Sequence, residues 1–91
     1  MPELLSEMKT DLSNFPLVRE FILFSRNWVY NGGTRQFFTY FFEDHKDLKS
    51  EIQILENLGL VKEITFNNVD RYIMSEDFAD YLLSYRSQEG K

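Results

Sequence analysis

The sequence predicts an α+β domain, mostly helical, with one two-stranded β-hairpin. Three observations within residues 48–74, LKSEIQILENLGLVKEITFNNVDRYIM, predict it. Leu48, Ile52, Leu55 and Leu58 recur at i, i+4, i+7 and i+10, which puts four apolar side chains on one helical face. Gly59 supplies the left-handed residue that closes many helices, and behind it the pattern changes to LVKEITF, rich in branched and aromatic residues that suit a strand. The polar run NNVD signals a turn, and RYIM returns as the second strand.

Residues 2–13 read as an amphipathic accessory helix, with Pro2 in the first turn and Leu4, Leu5, Met8 and Leu12 as its apolar stripe. Such a stripe must be covered, either by the helix's own domain or, as a dimerisation arm, by a second copy. SNFP breaks the chain, because the residue before proline is driven out of helical geometry, and Pro16 can open a helix running to about Trp28. Its apolar face is broad, taking in Leu17, Val18, Phe21, Ile22, Phe24, Trp28 and Val29, and leaves Leu23 on the opposite, exposed side.

NGG at 31–33 is a turn, and Thr34 can cap the helix predicted over 34–43. In TRQFFTYFF the aromatics point all round a helix and to both faces of a strand, so a strand is the competing assignment. The next helix spans 47–58, with Asp47 as its N-cap, the hairpin strands span 60–66 and 71–74, and Ser75 caps a last helix over 75–86. One domain over 1–91 follows, its central part 16–74. The expected core is Val18, Phe21, Ile22, Trp28, Phe38, Phe41, Leu48, Ile52, Leu55, Leu58, Leu60, Ile64, Ile73, Phe78 and Leu82. NNVD permits more than one loop length, so the hairpin register stays open.

LENLGLVKEI, the hairpin and the Ser-led helix after it resemble the winged-helix superfamily of prokaryotic transcription regulators, over about residues 16–85. The resemblance implies a winged helix-turn-helix fold in which the outer face of the 47–58 helix enters the DNA major groove. That face carries Lys49, Ser50, Gln53 and Asn57, residue types that pair with base edges or phosphate. Lys62 and Arg71 on the hairpin would touch the backbone, and Arg35 is a further phosphate candidate.

Charge runs against that use. The chain carries a net charge of -5, and from Glu43 to Asn57 five acids stand against Lys46 and Lys49. Phosphate neutralisation by Lys and Arg supplies most non-specific affinity for DNA, so DNA binding here requires a homodimer that pools its few cations. The alternative is a protein-interaction module without DNA binding, which meets its partner through Glu51 and Glu56 or through aromatic surface at Phe37 and Tyr40.

Composition narrows the rest. Aromatic residues make up 16% of the chain, enough large side chains for a core without staples. There is no cysteine, so disulfides and thiolate metal sites are excluded. MPELLSEMKTDL lacks the basic start and apolar run of a secretory signal, no stretch reaches membrane-span length, and a cytoplasmic protein is expected. No enzyme and no cofactor are expected: the single histidine, His45, lies in EDHKD, where Glu43, Asp44, His45 and Asp47 match no closed metal loop and read as a charged turn before a helix. Serine occurs in no nucleophile-elbow pattern.

Overall fold

The computed structural model describes residues 2–28, 37–65 and 69–84. They form α1 (Pro2–Asn14), β1 (Glu20–Phe24), β2 (Phe38–Phe41), α2 (Leu48–Asn57), β3 (Val61–Glu63), β4 (Asp70–Met74) and α3 (Glu76–Ser84). The result is a small α+β domain with a four-stranded mixed sheet of order β2-β1-β4-β3. β1 is parallel to β2 and antiparallel to β4, and β4 is antiparallel to β3. All three helices cover one face, where Leu4, Met8, Leu12, Leu48, Ile52, Leu55, Phe78 and Leu82 pack on Phe21, Leu23, Tyr40, Tyr72 and Met74.

Two predicted helices are corrected. The segment predicted as a helix over 16–28 is a turn followed by β1, and the described part of the 34–43 helix contains β2. The described residues therefore hold three helices and four strands, and "mostly helical" does not stand. The cause lies in EFILF. Phe21 and Leu23 point into the helical layer while Ile22 and Phe24 point to the other face, and all four are buried. A strand covered on both faces has no apolar period, and its continuous apolar run reads like a broad helical face. Leu23, expected at the surface, is fully buried, and Trp28, expected in the core, is 52% exposed. With β2 in place, no helix among the described residues directly precedes α2 in the chain to complete a helix-turn-helix pair.

The C-terminal half follows its local signals closely. Gly59 has φ of +77°, the Leu60 amide donates to the Leu55 carbonyl at 2.9 Å, and the Gly59 amide donates to the Glu56 carbonyl at 3.0 Å. This pattern is the Schellman closure, which satisfies carbonyls the helix would leave unpaired. α2 ends before Leu58, so that residue leaves the apolar stripe and is 66% exposed. Asp47 stands at the N-cap position without a capping side-chain bond. Ser75 does cap α3, its Oγ accepting the Phe78 amide at 3.1 Å, and its own amide donates to the Leu60 carbonyl at 2.9 Å.

The hairpin register is Val61 opposite Met74, Lys62 opposite Ile73 and Glu63 opposite Tyr72. This alternation sends Val61 and Met74 into the core and Lys62 and Ile73 to the other face. Val18, Phe41, Leu60, Ile64 and Ile73 of the expected core are only half-buried. α1 packs along α3 within the same chain, with Leu4, Met8 and Leu12 fully buried. Each such side chain contributes about 1.5–3 kcal/mol through removal from water. Among the described residues, no helix is long and apolar enough to cross a membrane.

Candidate interaction surface on α2 and the hairpin

α2 buries Leu48, Ile52 and Leu55, so its remaining positions face outward. Lys49, Ser50, Gln53 and Asn57 are all exposed along this outer side. The Gln53 amide donates to Asn57 Oδ1 at 3.0 Å, one turn along, which lays the two side chains flat on the helix surface. Beside them Ile54 and Leu58 are 48% and 66% exposed. Sequence reading placed Leu58 in the core and passed over Ile54, although their spacing of four residues away from the buried stripe is itself the signal.

The candidate cations are largely engaged elsewhere. Lys49 Nζ lies 3.0 Å from Asp70 Oδ2, linking α2 to the start of β4. The hydrogen bond to Asp70 raises the Lys49 ammonium above its ordinary value. Arg71 faces away from the helices, opposite Ile22. Its side chain is 12% exposed, Nη1 sits 3.8 Å from Glu20 Oε1, and its buried Nε makes no hydrogen bond. Lys62 is exposed on that same sheet face. The fold thus brings Lys49, Ser50, Gln53 and Asn57 together and puts Lys62 and Arg71 on the sheet face opposite α2. Arg35 lies outside the described residues.

The four residues proposed for protein contact also separate. Glu51 and Glu56 are half-buried at the two edges of the α2 face. Tyr40 is fully buried, so its assignment to an exposed aromatic surface is corrected. Its position in β2 points it into the helical layer, where it meets Phe21 edge to face at 5.5 Å. Burial pushes the Tyr40 hydroxyl well above its ordinary value, and the carboxyl facing it, Asp11 of α1, is itself raised by burial and partly brought back down by that hydroxyl. Phe37 is half-buried beside β2, on a cleft it shares with Trp28.

The residues of EDHKD point to different partners. Glu43 accepts the Ser25 hydroxyl at 2.6 Å and the Arg26 amide at 3.2 Å, and the Ser25 bond is the main reason its carboxyl is lowered. Asp44 pairs with Arg26 at 2.7 Å. His45 is buried, its Nε2 2.6 Å from Glu7 Oε1, so it joins the loop before α2 to α1. Compared with known proteins, the chain matches no family model, no curated protein and no solved structure.

Proposed function

We propose that this chain is a non-enzymatic, winged-helix-type binding module whose exposed α2 face takes a partner protein. The observation that carries the reading is the pairing of exposed Ile54 and Leu58 with the Gln53–Asn57 ladder, on a helix whose one cation is already held by Asp70. At 100° per residue Glu51 falls on the Leu58 edge of this face and Glu56 on the Lys49 edge. An apolar strip of Ile54 and Leu58 beside Glu51, on a chain of net charge -5, suits a partner surface with apolar anchors and a basic rim. The winged-helix part of the reading is supported by the run α2, β3, β4, α3 and by the adjacency of β1, β4 and β3 within the four-stranded sheet.

A second reading, a small homodimeric DNA-binding transcriptional regulator, is favoured by one observation. Lys49, Ser50, Gln53 and Asn57 do form a continuous polar edge, and an exposed ion pair such as Lys49–Asp70 contributes only about 0–1 kcal/mol, so a phosphate competes for Lys49 at small cost. Light scattering followed by binding to random-sequence duplex DNA at low and moderate salt separates the two. The protein-binding reading expects no salt-dependent DNA binding, and expects capture of a partner that is lost in the folded double variant Ile54→Asp, Leu58→Asp and in Glu51→Lys, Glu56→Lys. A dimer that binds duplex DNA and loses it steeply with salt overturns that reading in favour of the regulator.

A further inference from the structure

We propose that the partner of the α2 face is a basic amphipathic helix, whose apolar stripe covers Ile54 and Leu58 and whose lysines and arginines enter an acidic trough between α2 and the hairpin. The inference rests on the protein-binding reading of α2 and adds what chemistry the partner brings and where each part of it sits.

The trough follows from strand register and helical spacing. Glu63 stands opposite Tyr72, and Asp70 stands opposite Leu23. Tyr72 and Leu23 point into the helical layer, so both carboxylates leave the sheet on the side of α2. Across from them α2 turns its Lys49 and Glu56 edge toward the hairpin, with Lys49 Nζ 3.0 Å from Asp70 Oδ2. All four charges act on the Tyr72 hydroxyl: burial pushes it above its ordinary value, Lys49 pulls it back, and Glu63, Asp70 and Glu56 add to the rise. Lys49 matches only one of the three carboxylates. Among the described residues Glu56 makes no ion pair, and Glu63 accepts only the Thr65 hydroxyl, at 2.6 Å.

Three strips therefore lie side by side across α2 and the hairpin. Ile54 and Leu58, one turn apart, form an exposed apolar edge. Gln53 and Asn57, tied to each other, form an uncharged saddle, and beyond it lies the trough. The α2 backbone is bonded within the helix, so an extended strand gains no main-chain bonds on this surface. A helix arrives with its own backbone bonds closed, and at about 10–12 Å across with its side chains it spans the saddle from apolar edge to trough. An apolar stripe beside a basic one matches this order, and the uncompensated carboxylates disfavour an acidic stripe in that place.

A labelled peptide of about 18 residues, five helical turns, built from leucine and lysine with the leucines on one face, is the probe. It is titrated into the full chain at physiological ionic strength and followed by fluorescence anisotropy and amide NMR shifts. The proposal expects saturable binding with shifts confined to α2 and the hairpin. Binding is expected to weaken by roughly tenfold in the double variant Glu56→Gln, Glu63→Gln, and by at least as much in Ile54→Ala, Leu58→Ala. The double variant Glu3→Gln, Asp80→Asn removes the same charge from exposed positions on α1 and α3 and is expected to stay within about twofold of the parent. Equal weakening by the two acid-removing variants would reduce the binding to overall charge and overturn the proposal. A leucine and glutamate peptide that binds equally well, or shifts centred on another surface, overturns it too. Salt-dependent binding of duplex DNA overturns the protein-binding reading beneath it, whereas a peptide that fails to bind while DNA also fails overturns only the basic helix as partner.

Discussion

The two faces of the sheet are built from the same strands and behave as different materials. On one face Phe21, Leu23, Tyr40, Tyr72 and Met74 are sealed under three helices, with Leu4, Met8 and Leu12 at zero exposure above them. On the other, Ile22 and Phe24 are equally dry but neighbour Thr39, Arg71, Glu20 and the exposed Lys62, and an open cleft lies across the β1–β2 half. Strand alternation alone decides which side chain goes where, so β1 sends Phe21 and Leu23 under the helices and Ile22 and Phe24 to the opposite face. Among the described residues all three helices lie on one face, and the polar side chains of Glu20, Thr39, Lys62 and Arg71 lie on the other.

The sharpest way to break that contrast is to cut one side chain from each face. Leu12→Ala leaves a cavity between α1 and the rest of the core and is expected to cost about 2–5 kcal/mol in urea unfolding. Thr39→Val, which swaps a wall hydroxyl on the open face for a methyl, is expected to stay within about 0.5–1 kcal/mol of the parent. Similar losses for the two would mean that the faces are not energetically distinct.

Arg71 gives the next largest effect and tests whether the open face also holds structure. Its side chain and that of Glu20 are 12% and 18% exposed, so truncation removes one cation from beside a poorly solvated carboxylate. Arg71→Ala is expected to cost about 1–3 kcal/mol, less than a fully buried pair because the 3.8 Å contact is long. Adding Glu20→Gln should recover part of the loss in a double-mutant cycle. No coupling between the two positions would show that Arg71 acts through packing of its apolar stem rather than through charge.

The same contrast explains which parts of the fold were legible in the sequence. α2, the Gly59 closure, the hairpin and the Ser75 cap announce themselves through local chemistry: a period near 3.6, a residue that tolerates positive φ, and a hydroxyl placed for an amide. β1 and β2 do not, because their identity depends on what covers each face, and a doubly buried strand carries no period to read. The candidate site fared likewise. The α2 face follows from helical spacing, so Lys49, Ser50, Gln53 and Asn57 were found together. Pairings such as Lys49 with Asp70, and the consignment of Arg71 to the far side of the sheet, depend on a register that NNVD leaves undetermined. The cleft was invisible for the same reason, since it needs Phe24 and Phe41 side by side on parallel strands.

The smallest expected effect lies within the sealed face, at the polar seam between Tyr40 and Asp11. Tyr40 brings a buried hydroxyl that lacks a partner at full hydrogen-bond geometry, yet it faces Asp11 closely enough to lower that carboxyl against the upward push of burial. Tyr40→Phe removes a poorly satisfied polar atom and a stabilising contact to the Asp11 charge together, so stability at neutral pH is expected to change by less than about 1 kcal/mol. The pH dependence should change more clearly. Because the Asp11 carboxyl is raised in the native chain, that chain holds this proton more tightly than the unfolded one, and the residue's contribution to stability falls as pH rises from its ordinary value of 3.8 through the raised native value. Without the Tyr40 hydroxyl the native value rises further, so the fall should extend to higher pH, whereas Asp11→Asn should abolish it. Urea titrations of the three proteins between acid and neutral pH decide the point, and a Tyr40→Phe profile unchanged from the parent would mean that the hydroxyl and the carboxylate do not communicate across the α1–β2 contact.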